Sequence, residues 1–193
     1  MKNIMRDNIF TNFMYSAELE INLLKLKEEC LLAKEFAEPV NASNRGGWQG
    51  KMPNDNNIEL NKLINKTSEF VNFVAIKEQL NVKLYLTSSW ININYPNNYN
   101  IAHYHGSTDM AAVFYVNAPH PVGYLHLLRN DGAQFKNIYI NNSKELEFCV
   151  KPLAGRIYVF PAWLLHYVAP SPYSEDERIS IAFNYNVIMD KNI

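Results

Sequence analysis

The spacing of apolar residues changes near residue 81, and that change restricts the possible folds more than any other feature of the chain. Upstream, apolar side chains recur every three or four residues, the spacing of one helix face. Residues 16–37 place Leu19, Leu23, Leu26, Cys30 and Leu31 in this way, with Ser16 as the expected N-cap and Pro39 as the stop. Residues 57–80 repeat the pattern through Leu60, Leu63, Ile64, Phe70, Val74 and Ile76. Between them, 41–50 carries Gly46, Gly47 and Gly50 and predicts an irregular loop. Downstream, strand-length runs take over at 82–86, 90–94, 110–116, 123–128, 146–150, 156–160 and 179–187, separated by turn-forming residues. Many short strands at this spacing predict a sandwich or barrel. The expectation is one domain over 1–193, mainly β with α. A helical supporting layer over 1–80 covers one sheet face of a β core over 81–193, and the other sheet is free to shape a pocket.

Composition limits the partners. A chain of 193 residues that is 48% hydrophobic can bury a sizeable core. The net charge of −1 supplies no basic surface, so nucleic acid is not an implied partner. No apolar run approaches the roughly 20 residues that span a bilayer. The amino terminus is polar where a secretory signal would be apolar, so a cytoplasmic protein without membrane contact is expected. Cys30 and Cys149 lie in apolar surroundings without metal-ligand spacing, which predicts buried free thiols.

Three of the five histidines stand in suggestive places. His103 and His105 are two apart, so on one strand they would share a face. His166 follows the apolar run 157–165, and a same-face pair plus a distant residue is a natural way to converge three imidazoles on a metal. His120 and His126 have no partners at ligand spacing and read as structural or surface residues. Alternation from Arg178 puts Ser180, Ala182 and Asn184 on its face, and Ile179, Ile181 and Phe183 on the other. An arginine facing the interior is costly unless an anion meets it. Its planar guanidinium suits a carboxylate, and Ser180 can add a further hydrogen bond. The plainer reading of Arg178 is an ion pair with Glu175 or Asp176.

Ser89-Trp90-Ile91-Asn92, Asn100-Ile101-Ala102-His103-Tyr104-His105 and Val113-Phe114-Tyr115-Val116 precede a longer carboxy-terminal signature. That signature runs from Gly155 through Phe160, Pro161 and His166 to Arg178-Ile179-Ser180. Together these residues resemble the 2-oxoglutarate and iron(II)-dependent oxygenases, specifically a bacterial and phage branch. Gly46-Gly47-Trp48-Gln49 also looks like a feature of that branch. The resemblance implies a double-stranded β-helix, or jelly roll, flanked by the amino-terminal helices.

Carried over by position, it makes His103 the first metal ligand and His166 the distal one, with Arg178 and Ser180 on the far carboxylate of 2-oxoglutarate. The wider superfamily has a carboxylate two residues after the first histidine, where this chain has His105. Two ligand sets follow: His103, His105 and His166, which is favoured, or two histidines with Asp109. Tyr85, Asn92 and Tyr158 are candidates for the cosubstrate pocket, Tyr158 more as a core residue. Trp48 and Trp163 are candidates for the border of the substrate cleft. The implied reaction is oxidative decarboxylation of 2-oxoglutarate coupled to hydroxylation of a small molecule or side chain. The competing readings are a non-catalytic jelly-roll binding module and a cupin-like three-histidine metalloenzyme that uses no 2-oxo acid. Neither primary substrate nor oligomeric state is written in the sequence.

Overall fold

The first helix begins at Leu23, seven residues after Ser16. The computed structural model describes residues 5, 12–52, 57–129, 146–172 and 176–188. In it Ser16 belongs to strand β1 (Tyr15–Glu18), which lies antiparallel to strand β9 (Arg156–Pro161). Asn22 is the true N-cap of helix α1 (Leu23–Phe36), its side chain accepting the Lys25 N–H at 3.2 Å. The apolar step from Leu19 onward therefore straddles a strand and a helix, and the polar Asn22 marks the boundary. Helix α1 buries Leu26, Cys30 and Ala33. Helix α2 (Ile58–Lys77), about 30 Å long, buries Leu60, Leu63, Thr67, Val71 and Val74 along one stripe. Glu29 of α1 accepts the backbone N–H groups of Glu59 and Leu60 at 3.1 and 2.8 Å. It thus satisfies donors that the start of α2 leaves open.

The remaining strands are β2 (Asn44–Arg45), β3 (Trp48–Lys51), β4 (Leu84–Asn94), β5 (Tyr99–His103), β6 (Met110–Asn117), β7 (Leu125–Leu128), β8 (Glu147–Val150), β10 (His166–Val168) and β11 (Arg178–Val187). The six-stranded sheet has the order β1-β9-β6-β11-β4-β3, and the five-stranded sheet the order β2-β5-β10-β7-β8. All pairings among the described residues are antiparallel, in keeping with the expected jelly roll. Three expectations change. The runs 82–86 and 90–94 are one strand, because β4 pairs with β11 along its whole length. The loop 41–50 contains β2 and β3, which join different sheets through a turn at Gly46, whose φ of 81° favours glycine. Strands β5 and β10 are also present, too short and too polar to show an apolar alternation.

Two apolar layers result. Phe114, Ile157, Val159, Ile181 and Phe183 of the larger sheet meet Leu26, Cys30, Leu63 and Val74 of the helices. Between the sheets, Ala111, Tyr115, Tyr158 and Phe160 meet Leu125, Leu127 and Val150. The second layer stops short of one end of the sandwich, and polar side chains line what is left.

Candidate metal centre

His103 and His166 are direct cross-strand partners on β5 and β10, with ring centroids 4.3 Å apart. His105 lies beyond the end of β5, so the expected shared strand does not place it. Its backbone N–H donates instead to the Ala162 carbonyl at 2.8 Å, and its ring comes within 5.2 Å of His103 and 5.1 Å of His166. One potential ligand atom from each imidazole lies within 4.8 Å of the others.

Each ring is also turned the same way. The Nδ1 atoms of His103, His105 and His166 face the Ile101 carbonyl at 2.7 Å, the Asn184 Oδ1 at 2.7 Å and the Leu164 carbonyl at 2.8 Å. Those oxygens only accept, so each Nδ1 carries the hydrogen and each Nε2 keeps its lone pair for a metal. Burial favours the neutral rings: it holds His103 and His105 below the ordinary histidine range and pushes His166, with help from His103, down to about 3. Three neutral, oriented imidazoles suit a divalent first-row metal. Phe160 packs edge-on against His166 and Trp90 tilts over His105, shielding the cluster.

The cavity beside the histidines has about 480 Å³ of space, part of it open to solvent, and its walls include Asn92, Tyr115, Ser180 and Trp90. Arg178 lies behind this wall, 2% exposed. Its Nη1 donates to the carbonyls of Ala169 and Gly123 at 2.9 and 3.3 Å, while Nη2 is buried without a partner. A Cβ on Gly123 would come within 2.8 Å of that Nη1, so the glycine makes room for the guanidinium. No ion pair joins Arg178 to a carboxylate among the described residues. Asp176 is not its partner there, and Glu175 lies outside the described residues. Desolvation lowers the Arg178 pKa, as burial does for a cation that meets no anion among the described residues. Its cross-strand neighbour Asn94 holds an unpartnered Nδ2, and Asn92, opposite Ser180, an unpartnered Oδ1. The open donors Arg178 Nη2 and Asn94 Nδ2 fit a carboxylate-bearing cosubstrate, whereas Asn92 Oδ1 is an open acceptor.

Other candidates fall elsewhere. Asp109 spends its Oδ2 on the Val187 N–H at 2.8 Å and is not part of the histidine cluster. Tyr85 is 39% exposed under Lys83, seven residues or about 23 Å of strand from Asn92, and does not line the cavity. Tyr158 is a core residue whose hydroxyl donates to the Lys151 carbonyl at 2.9 Å. Trp48 is buried under the helices, and Trp163 is exposed away from the cavity. Sequence reasoning missed Trp90, two residues before Asn92 and so on its face, and the use of Asn184 as the partner of His105. It also missed Ser43 and Gln49, which stand at the cavity mouth. Of the cysteines, Cys30 is buried as expected, but Cys149 is exposed, since β8 is an edge strand and alternation turns it away from Val150. His126 has partners after all, Glu147 and Cys149, brought to it by strand pairing that spacing alone does not reveal.

A family model described as "Putative 2OG-Fe(II) oxygenase" matches residues 88–184, 97 of the 193, a span that holds the three histidines, Arg178, Ser180 and Asn184. Among solved structures, a Pseudomonas putida prolyl-4-hydroxylase is similar at a TM-score of 0.68 and 18% identity, over 93% of this chain and 95% of that one. The 2OG complex of a collagen prolyl hydroxylase from Paramecium Bursaria Chlorella virus-1 gives 0.59 and 17%, over 91% and 96%. A Trichoplax adhaerens prolyl hydroxylase bound to a peptide fragment gives 0.63 and 14%, over 91% and 84%. At these identities the likeness is one of fold. A search of the curated proteins finds no match. With half its length matched by the family model, this chain belongs to the 2OG-Fe(II) oxygenases, oxidoreductases that use iron(II) and 2-oxoglutarate.

Proposed function

We propose that the chain, acting as one domain, holds iron(II) on the Nε2 atoms of His103, His105 and His166. It anchors the far carboxylate of 2-oxoglutarate on Arg178 and Ser180, and hydroxylates a small molecule or an exposed side chain. The observation that supports this most is the pairing of two unmet needs beside one cavity: three imidazoles with free Nε2 lone pairs, and a buried guanidinium with an open Nη2. Bound iron(II) and 2-oxoglutarate supply oxidation by O2, with release of succinate and carbon dioxide.

The protein's own contribution is placement. The Ile101 and Leu164 carbonyls and the Asn184 amide hold the rings in one tautomer, so no proton has to leave a ring nitrogen before metal binds. Three imidazoles carry no charge, which leaves the metal one unit more positive than a set with a carboxylate and strengthens its hold on an anionic cosubstrate. Arg178, without a counter-charge among the described residues and already desolvated, gives the other end of the dianion a strong and directional contact. Asn92 Oδ1 can accept from a bound hydroxyl or amide, and Trp90 with Gln49 and Ser43 frames the approach. A mouth of this kind suits a side chain or a small molecule, and the similar Trichoplax adhaerens prolyl hydroxylase is bound to a peptide fragment.

The test is oxygen uptake by the iron(II)-loaded protein with and without 2-oxoglutarate, with succinate measured in parallel. The proposal expects uptake only with the 2-oxo acid, matched by succinate. Uptake that ignores 2-oxoglutarate would support a cupin-like three-histidine enzyme instead. His105→Ala should weaken iron binding, whereas Asp109→Asn should leave it unchanged.

A further inference from the structure

Strand β10 carries His166 on its inner face and Tyr167 on its outer face, and a second group of metal-binding side chains gathers on that outer face. His126 of β7 and Cys149 of β8 are cross-strand partners, and Glu147 sits two residues before Cys149, on the same side of the strand. The His126 Nδ1 is 3.1 Å from Glu147 Oε2 and 3.3 Å from Cys149 Sγ, and Sγ is 3.6 Å from Glu147 Oε1. A tetrahedral zinc with bonds of about 2.0 Å to nitrogen or oxygen and about 2.3 Å to sulfur separates its ligands by roughly 3.3–3.6 Å. Nδ1, Sγ and the Glu147 carboxylate therefore stand at spacings close to those on one face of such a tetrahedron, one carboxylate oxygen toward the imidazole and the other toward the thiol. Cys149 is exposed, which leaves an entry path and room for water at the fourth corner.

Tyr167 holds two of the three ligands. It pairs with His126 across the sheet and stacks on its imidazole at 4.3 Å, nearly parallel at 9°. Its hydroxyl donates to Glu147 Oε2 at 3.4 Å. A ring fixed in plane and a carboxylate fixed by a neighbouring hydroxyl are the usual supports of a metal ligand. A thiol and an imidazole N–H that merely donate to Glu147 would explain the distances too, but would not call for a sulfur, a nitrogen and an oxygen converging on one accessible point.

We propose that His126, Glu147 and Cys149 form a second metal site on the outer face of the smaller sheet, taking a borderline-soft divalent cation, zinc above all. The thiolate sets its preference apart from that of the all-imidazole cluster on the inner face, and excludes magnesium and calcium. Binding releases the thiol proton to solvent and ties the edge strand β8 to β7.

Cobalt(II) is the probe, because a sulfur ligand gives it a near-ultraviolet thiolate-to-metal charge-transfer band that imidazoles cannot supply. Titrating the metal-free full chain should give two equivalents of bound cobalt and that band, and zinc should then bleach it. Cys149→Ser should remove the band and one equivalent, while the visible signal obtained with iron(II) and 2-oxoglutarate stays as in the parent. Cys30 cannot be the source, since it is fully buried beneath the helices. His105→Ala, and separately the double variant His103→Ala/His166→Ala, should keep the band. Tyr167→Phe, which retains the stacking and loses the hydroxyl, should weaken binding about tenfold with the band intact. A parent protein that binds one equivalent with no sulfur band would show the trio to be hydrogen-bonded only. A band that survives Cys149→Ser would overturn the assignment equally.

Discussion

On one face of β11, Ile179, Ile181, Phe183 and Tyr185 are wholly buried against the helices. On the other, Ser180 puts its hydroxyl in the cavity wall, Asn184 accepts from the His105 ring, and Arg178 is buried with one guanidinium nitrogen unpartnered. Neighbouring residues thus carry opposite duties, one set holding the sandwich to its helices and the next, in the function proposed above, meeting a charged ligand. The period of two along a strand keeps the duties apart, and a slip of one residue in the β4–β11 register would exchange them. Stability and chemistry should therefore respond to different substitutions on the same strand.

The core face should give the largest effect. Phe183→Ala is expected to cost about 3–5 kcal/mol in urea unfolding, because the cavity it leaves is walled by well-packed neighbours. The fraction that remains folded should still bind iron(II). On the opposite face Arg178→Leu should reverse this pattern. It removes a buried charge that has no anion among the described residues, but also the bonds to the Ala169 and Gly123 carbonyls, so the melting temperature should change little, while affinity for 2-oxoglutarate should drop about 100-fold by titration.

Acid attacks the cavity face through His166. His166 sits at about 3 in the folded protein and near the ordinary value of about 6.5 when unfolded. Its neutral form is favoured by folding, so the contribution is complete above about pH 6.5 and is lost as pH falls toward 3. The metal-free protein should lose on the order of 2 kcal/mol between neutrality and about pH 4.5, measured by unfolding at each pH. His166→Gln should flatten that slope. The smallest effect is expected from Asn184→Leu, which strips the acceptor from His105 Nδ1 and should weaken iron(II) about tenfold with little change in melting temperature.

The face assignment on β11 was legible because large apolar residues fall at every second position from Ile179 to Phe183, with polar or small residues between them. The same clarity gave the sheets their core and placed Ser180 and Asn92 beside the cavity. His103 and His166 were legible as a pair by type, but their meeting depends on β5 and β10, whose few residues carry no alternation to read. His105 arrived by another route, a backbone contact with Ala162, which no local period encodes. Asp109 looked available in sequence, yet the end of β11 claims its carboxylate. Tyr85 was misplaced because two runs that looked separate are one long strand, and its length carries Tyr85 far from the site. His126 lies 21 residues from Glu147 and 23 from Cys149 and meets them only through register.

The central claim is that metal and arginine grip the two ends of one cosubstrate, and anaerobic addition of iron(II) and 2-oxoglutarate measures it most directly. The account predicts a visible metal-to-ligand charge-transfer band in the parent protein, lost in His166→Ala, and in Arg178→Leu lost at 2-oxoglutarate levels that saturate the parent. A parent protein without the band, or an Arg178→Leu variant that shows it at the same 2-oxoglutarate concentration, would contradict the account.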